Sequence, residues 1–216
     1  MDIFSACVAL GPLAIYLLFL GAINLSRRPL VVSGMRETLS LGLALAGLAI
    51  VGPMQLFMPQ EAATRFGPYV WMLLVCFYVL CLTLVIMLSR PRLVVYNISL
   101  VELQPILEET ALRLDAQSTW AGKSLSMPSA RVHLQLEDFS PLANVSLVAT
   151  GDDQSIGGWR RLAAALRVKL RDVPLATQPH GFWLTVWGLA ILAALAYWVA
   201  EDPQTIARGL DRLLNP

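Results

Sequence analysis

Phe66–Glu102 reads FGPYVWMLLVCFYVLCLTLVIMLSRPRLVVYNISLVE, and the change of character between Ser89 and Arg90 decides the fold. No Asp, Glu, Lys or Arg occurs from Phe66 to Ser89, and an uncharged helix of that length can cross a hydrocarbon core about 30 Å thick. Charge returns at Arg90. Leu93, Val94, Val95 and Tyr96 then form a short apolar strand, ended by Asn97. Ser99 and Glu102 follow at capping-box spacing, the hydroxyl placed to accept a free backbone N–H and the carboxylate to reach back. A membrane-crossing helix thus runs directly into a folded polar domain.

Working outward, three more windows are free of charge: 3–25, 38–60 and 173–200. The expected architecture is a membrane α-helical protein with an inserted small α+β cytoplasmic domain. Residues 1–90 hold three transmembrane helices, at about 3–25, 38–57 and 66–89. Residues 91–178 are the α+β domain, 179–200 a fourth transmembrane helix, and 201–216 a short amphipathic tail. Helices this long without a charged face have nothing polar to show to water. The composition agrees: of 216 residues 56% are hydrophobic and 14% charged, with mean hydropathy +0.63, whereas a soluble domain carries about 25% charge. A free-standing soluble enzyme, a disordered tail and a secreted disulfide scaffold are excluded.

The first window lacks a basic n-region, carries Asp2 instead and has no small-residue cleavage pattern before Arg27, so it reads as a retained anchor. Short basic loops stay cytoplasmic. Arg27, Arg28 and Arg36 follow the first span and Arg90 and Arg92 the third, against Arg65 beside Glu61 after the second and Glu201-Asp202 after the fourth. The expected location is an inner membrane, with both termini outside and 91–178 in the cytoplasm. Fourteen arginines against two lysines suit a bacterial genome rich in G and C. Trp71, Trp183, Tyr69 and Trp198 stand where interfacial anchors are favoured. Pro12, Gly52-Pro53 and Pro59 would kink or shorten the first two spans.

Small residues recur in the second span at Ser40, Gly42, Ala44, Ala46, Gly47 and Ala49, including the four-residue step from Gly42 to Ala46, and the last span offers Ala190 and Ala194. Such residues let backbones approach closely, within the chain or between copies. Ionisable groups are missing from the spans, which argues against a channel or transporter path.

Within the domain, nine acidic residues balance nine basic ones over 91–172. Leu100, Leu103, Leu107, Ala111 and Leu114 repeat as one face of a helix, with Pro105 implying an irregular first turn or a start one turn later. Val132, Leu134 and Leu136, then Val145, Leu147 and Ala149, alternate as half-buried strands separated by a turn at Ser140-Pro141. Trp120–Met127 supplies another short strand, so the expected order is β-α-β-β-β. A last helix runs from about 156 to 171, with Asp152, Asp153 and Ser155 as candidate N-caps. The two helices are expected to cover one face of an antiparallel sheet.

That last helix is basic and amphipathic. Trp159, Arg160, Arg161, Arg167, Lys169 and Arg171 are the candidate contacts with a membrane surface or a partner, since each basic residue near an anionic bilayer is worth about 1 kcal/mol. His133 and His180 have no ligating companions at metal spacing. Cys7, Cys76 and Cys81 fall in apolar windows and form no disulfide framework. Glu108-Glu109 and Glu137-Asp138 are adjacent pairs that point apart, and Gly157-Gly158 lacks the lysine and spacing of a phosphate loop. No catalytic residue, cofactor or metal site is assigned, and a net charge of +1 gives no field for nucleic acid.

The functional expectation is a non-catalytic anchor or assembly component, with the lipid bilayer, a protein partner or a second copy as its contacts. The rival is a membrane enzyme or transport-complex subunit whose site another chain completes. In the tail, Ile206, Leu210, Leu213 and Leu214 recur at helical spacing and fit an interfacial helix.

Overall fold

The computed structural model describes residues 3–26, 28–57, 69–139, 144–171, 173 and 180–201. The turn at Ser140-Pro141, the segment holding Pro59, Glu61 and Arg65, and the amphipathic tail lie outside them. The chain is mostly helical with one antiparallel sheet, and it divides into two compact units.

The first unit comprises Met1–Phe19, Leu39–Leu88 and Leu184–Pro216. It holds the greater part of four long apolar helices: α1 (Ile3–Leu25), α2 (Gly34–Phe57), α3 (Tyr69–Leu88) and α6 (His180–Glu201). Three stretches among the described residues, Ile3–Leu25, Gly34–Gly52 and Gly181–Glu201, are long and apolar enough to cross a membrane, and Met72–Leu88 is a shorter apolar stretch. Helix α1 continues through Pro12 and α2 through Pro53, so neither proline ends its helix early.

Backbone approach organises this unit. A side chain at Gly47 would overlap the Val8 carbonyl of α1, and one at Gly188 would press on the Ala14 carbonyl and Leu18. Both glycines are there because helices cross without room for a Cβ. Gly42 lies against Leu82 of α3, and the Tyr78 hydroxyl donates to the Gly42 carbonyl at 2.5 Å.

The second unit comprises Leu20–Thr38 and Ser89–Trp183. Its sheet has six antiparallel strands in the order β1-β2-β6-β5-β4-β3. They are β1 (Leu30–Ser33), β2 (Arg92–Tyr96), β3 (Thr119–Ala121), β4 (Ser124–Met127), β5 (Val132–Phe139) and β6 (Asn144–Ala149). Strands β3 to β6 form a meander; β2 lies beside β6 with Leu93 opposite Leu147, and β1 pairs with β2 with Val31 opposite Val95. Two differences from the sequence reading stand out. Trp120–Met127 is a hairpin of two strands rather than one, turning at Gly122, whose φ of 63° is the conformation tight hairpins give to glycine. The strand β1 comes from the connection between the first two long helices, 59 or more residues away in sequence from its partner β2.

Helices α4 (Leu100–Leu114) and α5 (Ile156–Leu170) bury their stripes in the same core. Leu103, Leu107 and Ala111 of α4 and Leu162, Leu166 and Leu170 of α5 meet Leu93, Val95, Leu134, Leu136, Val145 and Leu147, all nearly sealed from solvent. The capping box forms as its sequence implies: Ser99 Oγ accepts from the Glu102 N–H, and Glu102 Oε2 accepts from the Ser99 N–H at 3.1 Å. Helix α4 starts at Leu100 and runs through Pro105. The ladder bond lost at Pro105 belongs to the carbonyl of Val101, an exposed residue to which water can offer the replacement. Ser155, of the three candidates, is the N-cap of α5.

Candidate functional site

Helix α5 carries the residues singled out by the sequence, and the structure divides them by task. Trp159 is not on the surface. It is 5% exposed, packed in the core, and its indole Nε1 donates to Gln154 Oε1 at 2.9 Å. Its ring follows the apolar stripe that faces the sheet, so Trp159 is withdrawn from the candidate contacts with lipid or a partner. Gln154 itself ties three segments together, its amide donating at 2.8 Å to the carbonyls of both His133 and Thr150.

Two of the cations are committed within the unit. Arg167 Nε donates to the Val31 carbonyl at 3.3 Å, which joins α5 to the edge strand β1. Lys169 Nζ lies 2.6 Å from Glu109 Oε1, and Arg113 approaches the same oxygen at 2.8 Å. The Lys169 hydrogen bond and the two positive charges hold the Glu109 carboxyl below the usual carboxylate range, against the opposing effect of desolvation. Arg160, Arg161 and Arg171 are exposed, and among the described residues no partner is assigned to them. Ile156 and Val168 are exposed on the same helix. Between α4 and α5 runs an open groove of about 370 Å³, walled by Thr110, Arg113 and Leu114 on one side and Ala164, Ala165, Val168 and Lys169 on the other.

Of the residues read as helix-packing positions, Gly42 packs on α3, Ala46 is half-buried, and Ala190 and Ala194 are exposed. Gly47 makes the tightest helix crossing instead. Spacing names small residues, but only the fold decides which of them meets another backbone.

Several polar positions that periodicity does not single out hold the second unit together. Asp115 is 4% exposed; its Oδ1 accepts from the Gln117 N–H at 2.9 Å and its Oδ2 from the Ser129 N–H at 2.7 Å. Asn97, fully buried with φ of 63°, donates through Nδ2 to the Ser26 carbonyl and through its backbone N–H to Asn144 Oδ1 at 3.4 Å. Glu37 pairs with Arg92 at 2.9 Å and accepts from the Tyr96 hydroxyl at 3.0 Å. Bonds from Ser26 and Glu37 to β2 and its end fasten the end of α1 and the start of α2 to the sheet.

His133 and Ser126 face each other across β4 and β5, Nδ1 to Oγ 2.9 Å, an ordinary cross-strand pair. Cys7, Cys76 and Cys81 are free thiols. Among the described residues no group of three His, Cys, Asp or Glu side chains is gathered as metal ligands would be. No family model matches the chain, and the comparisons with curated proteins and with solved structures found no match.

Proposed function

We propose that the chain is a non-catalytic component of a bacterial inner membrane. It crosses four times, with both termini outside, and its segment 91–178 binds a protein or lipid partner in the cytoplasm. The observation that carries this reading is β1. Because β1 follows α1, precedes α2 and pairs with β2, the end of α1, the start of α2 and the end of α3 all belong to the side of the sheet. If α2 leaves that side through the bilayer, α3 is the element that returns, which supports α3 as a crossing. Gly181, at the start of α6, is packed against Asn24 at the end of α1 and supports the same side for the fourth. Arg28, Arg36, Arg90 and Arg92 cluster on this side, the arginine bias of cytoplasmic loops.

A binding role is supported by how the domain spends its polar groups. Asp115, Gln154, Arg167 and Lys169 are engaged in holding strands and helices together, and Arg160, Arg161 and Arg171 are left facing outward. A reporter fused after Pro216 should be active only outside the cytoplasm; cytoplasmic activity would refute the topology. Cross-linking in native membranes followed by purification should retain a stoichiometric partner without turnover. A bound substrate or metal in the purified protein would point to the rival reading, a subunit of an enzyme or transport complex.

A further inference from the structure

The layer formed by α4 and α5 shows two opposite faces to solvent, side by side. Helix α4 carries three glutamates and one arginine, and α5 four basic residues and no acidic one. On the outer crest of α4, Val101, Glu108 and Leu112 fall in one stripe by helical spacing. Val101 is 82% and Leu112 51% exposed, and Glu108 is exposed between them. On the outer crest of α5, Arg161, Ala164, Val168 and Arg171 fall in a similar stripe, Val168 being 75% exposed, with Arg160 beside it. An acidic, apolar ridge thus lies next to a basic, apolar one whose alanines leave room for larger side chains, along the open groove between the helices.

We propose that this layer is the contact surface for a second copy of the chain, α4 of each copy lying over α5 of the other. A two-fold axis through the layer brings each acidic ridge onto a basic one and covers the exposed Val101, Leu112 and Val168 in the same act, which is the self-complementarity a symmetric pair requires. An anionic bilayer would attract α5 but repel the glutamates of α4 beside it, so the juxtaposed signs favour a copy over a lipid surface. Anchoring both copies in one membrane raises their effective concentration. The inference rests on the assembly reading above and names its partner.

Energy transfer between donor- and acceptor-labelled full-length protein, reconstituted in zwitterionic vesicles over a series of protein-to-lipid ratios, tests it. The wild type should associate. Glu108→Arg should weaken association about tenfold, and so should the pair Arg160→Glu with Arg161→Glu, because each places like charges in contact. An equimolar mixture of the two variants should recover association to within about threefold of wild type, since each reversed helix then meets its complement. That recovery also shows that both variants are folded.

Four results would overturn the contact: a monomer at every ratio, association indifferent to both reversals, weakening that the mixture does not rescue, or a signal found only when anionic lipid is added. A chain that stays monomeric here yet retains a stoichiometric partner on cross-linking in native membranes would sink this contact and leave the assembly function standing.

Discussion

Asp115 and Gln154 show how single polar residues decide the domain. Burial pushes the Asp115 carboxyl up, but hydrogen bonds from the Gln117, Ser129 and Ala130 backbones outweigh it and hold the pKa below the ordinary value. A carboxylate whose folded pKa is depressed contributes stability that is complete above its unfolded value, around pH 4, and is lost as pH falls through the folded value. Thermal unfolding of the detergent-solubilised protein against pH should therefore show a loss in strong acid that Asp115→Asn reduces, while that variant is less stable than wild type at pH 7. If the variant matches wild type at pH 7, the carboxylate does not hold this turn. Gln154→Ala leaves the buried Trp159 N–H without its partner and removes one of the two hydrogen bonds to the His133 carbonyl, which keeps the one from the Thr150 N–H, and should cost about 1–3 kcal/mol in denaturant unfolding. Neither residue stands out in the sequence, because the bonds from Asp115 to the Ser129 backbone and from Gln154 to the His133 backbone reach groups that folding brings from elsewhere.

At the scale of elements, local patterns carried most of the information. The helices α4 and α5 were legible because a stripe at three and four, begun by a cap, is a property of consecutive residues. Strands β5 and β6 were legible from alternation. The strand β1 was not: its four residues Leu-Val-Val-Ser follow a pair of arginines and resemble any connection, and only pairing with β2 makes them a strand. In the first unit, the small-residue stripe of α2 already held Gly47, but the four-residue step singled out Gly42 and Ala46, whereas the closest crossing is at Gly47. Gly47→Ala forces α1 and α2 apart at Val8 and should destabilise the protein by about 1–3 kcal/mol, as overpacking does. Gly11→Ala, which meets no neighbour within 4 Å, should leave resistance to unfolding in detergent unchanged or raised. Equal effects from the two substitutions would mean that the crossing at Gly47 does not form.

For the molecule as a whole, the consequence of β1 is that the polar domain is not a free insertion. A segment comprising only 91–178 lacks the strand that covers the edge of β2, and it loses the Val31 contact of Arg167 as well. An uncovered, apolar edge such as Arg92–Tyr96 invites pairing with another chain. The excised segment should retain helix and strand signals in circular dichroism yet self-associate on gel filtration, and a version carrying residues 26–38 joined by a flexible linker should elute at a smaller size. Identical elution of the two would show that β1 contributes nothing to covering that edge. The attachment through Asn97 to Ser26 and through Tyr96 and Arg92 to Glu37 ties the sheet directly to the ends of α1 and α2.

The sequence by itself determined the long apolar helices, the place where the polar domain begins, the cap of α4 and the alternation of the domain's longer strands. Each of these is written in neighbouring residues, through hydropathy, periodicity or a hydrogen bond spanning one turn. Periodicity already set Trp159 on the apolar stripe of its helix; tertiary structure alone decided that this stripe is sealed in the core, that Arg167 and Lys169 are tethers rather than free cations, and that residues 30–33 complete the sheet. The tethers and the sheet attachment depend on partners far away in the chain: Val31, Glu109 and Tyr96 do not lie close in sequence to Arg167, Lys169 and Glu37. Periodicity can identify the side of a helix that is buried, but the residue that meets a given cation is fixed only when the strands have paired.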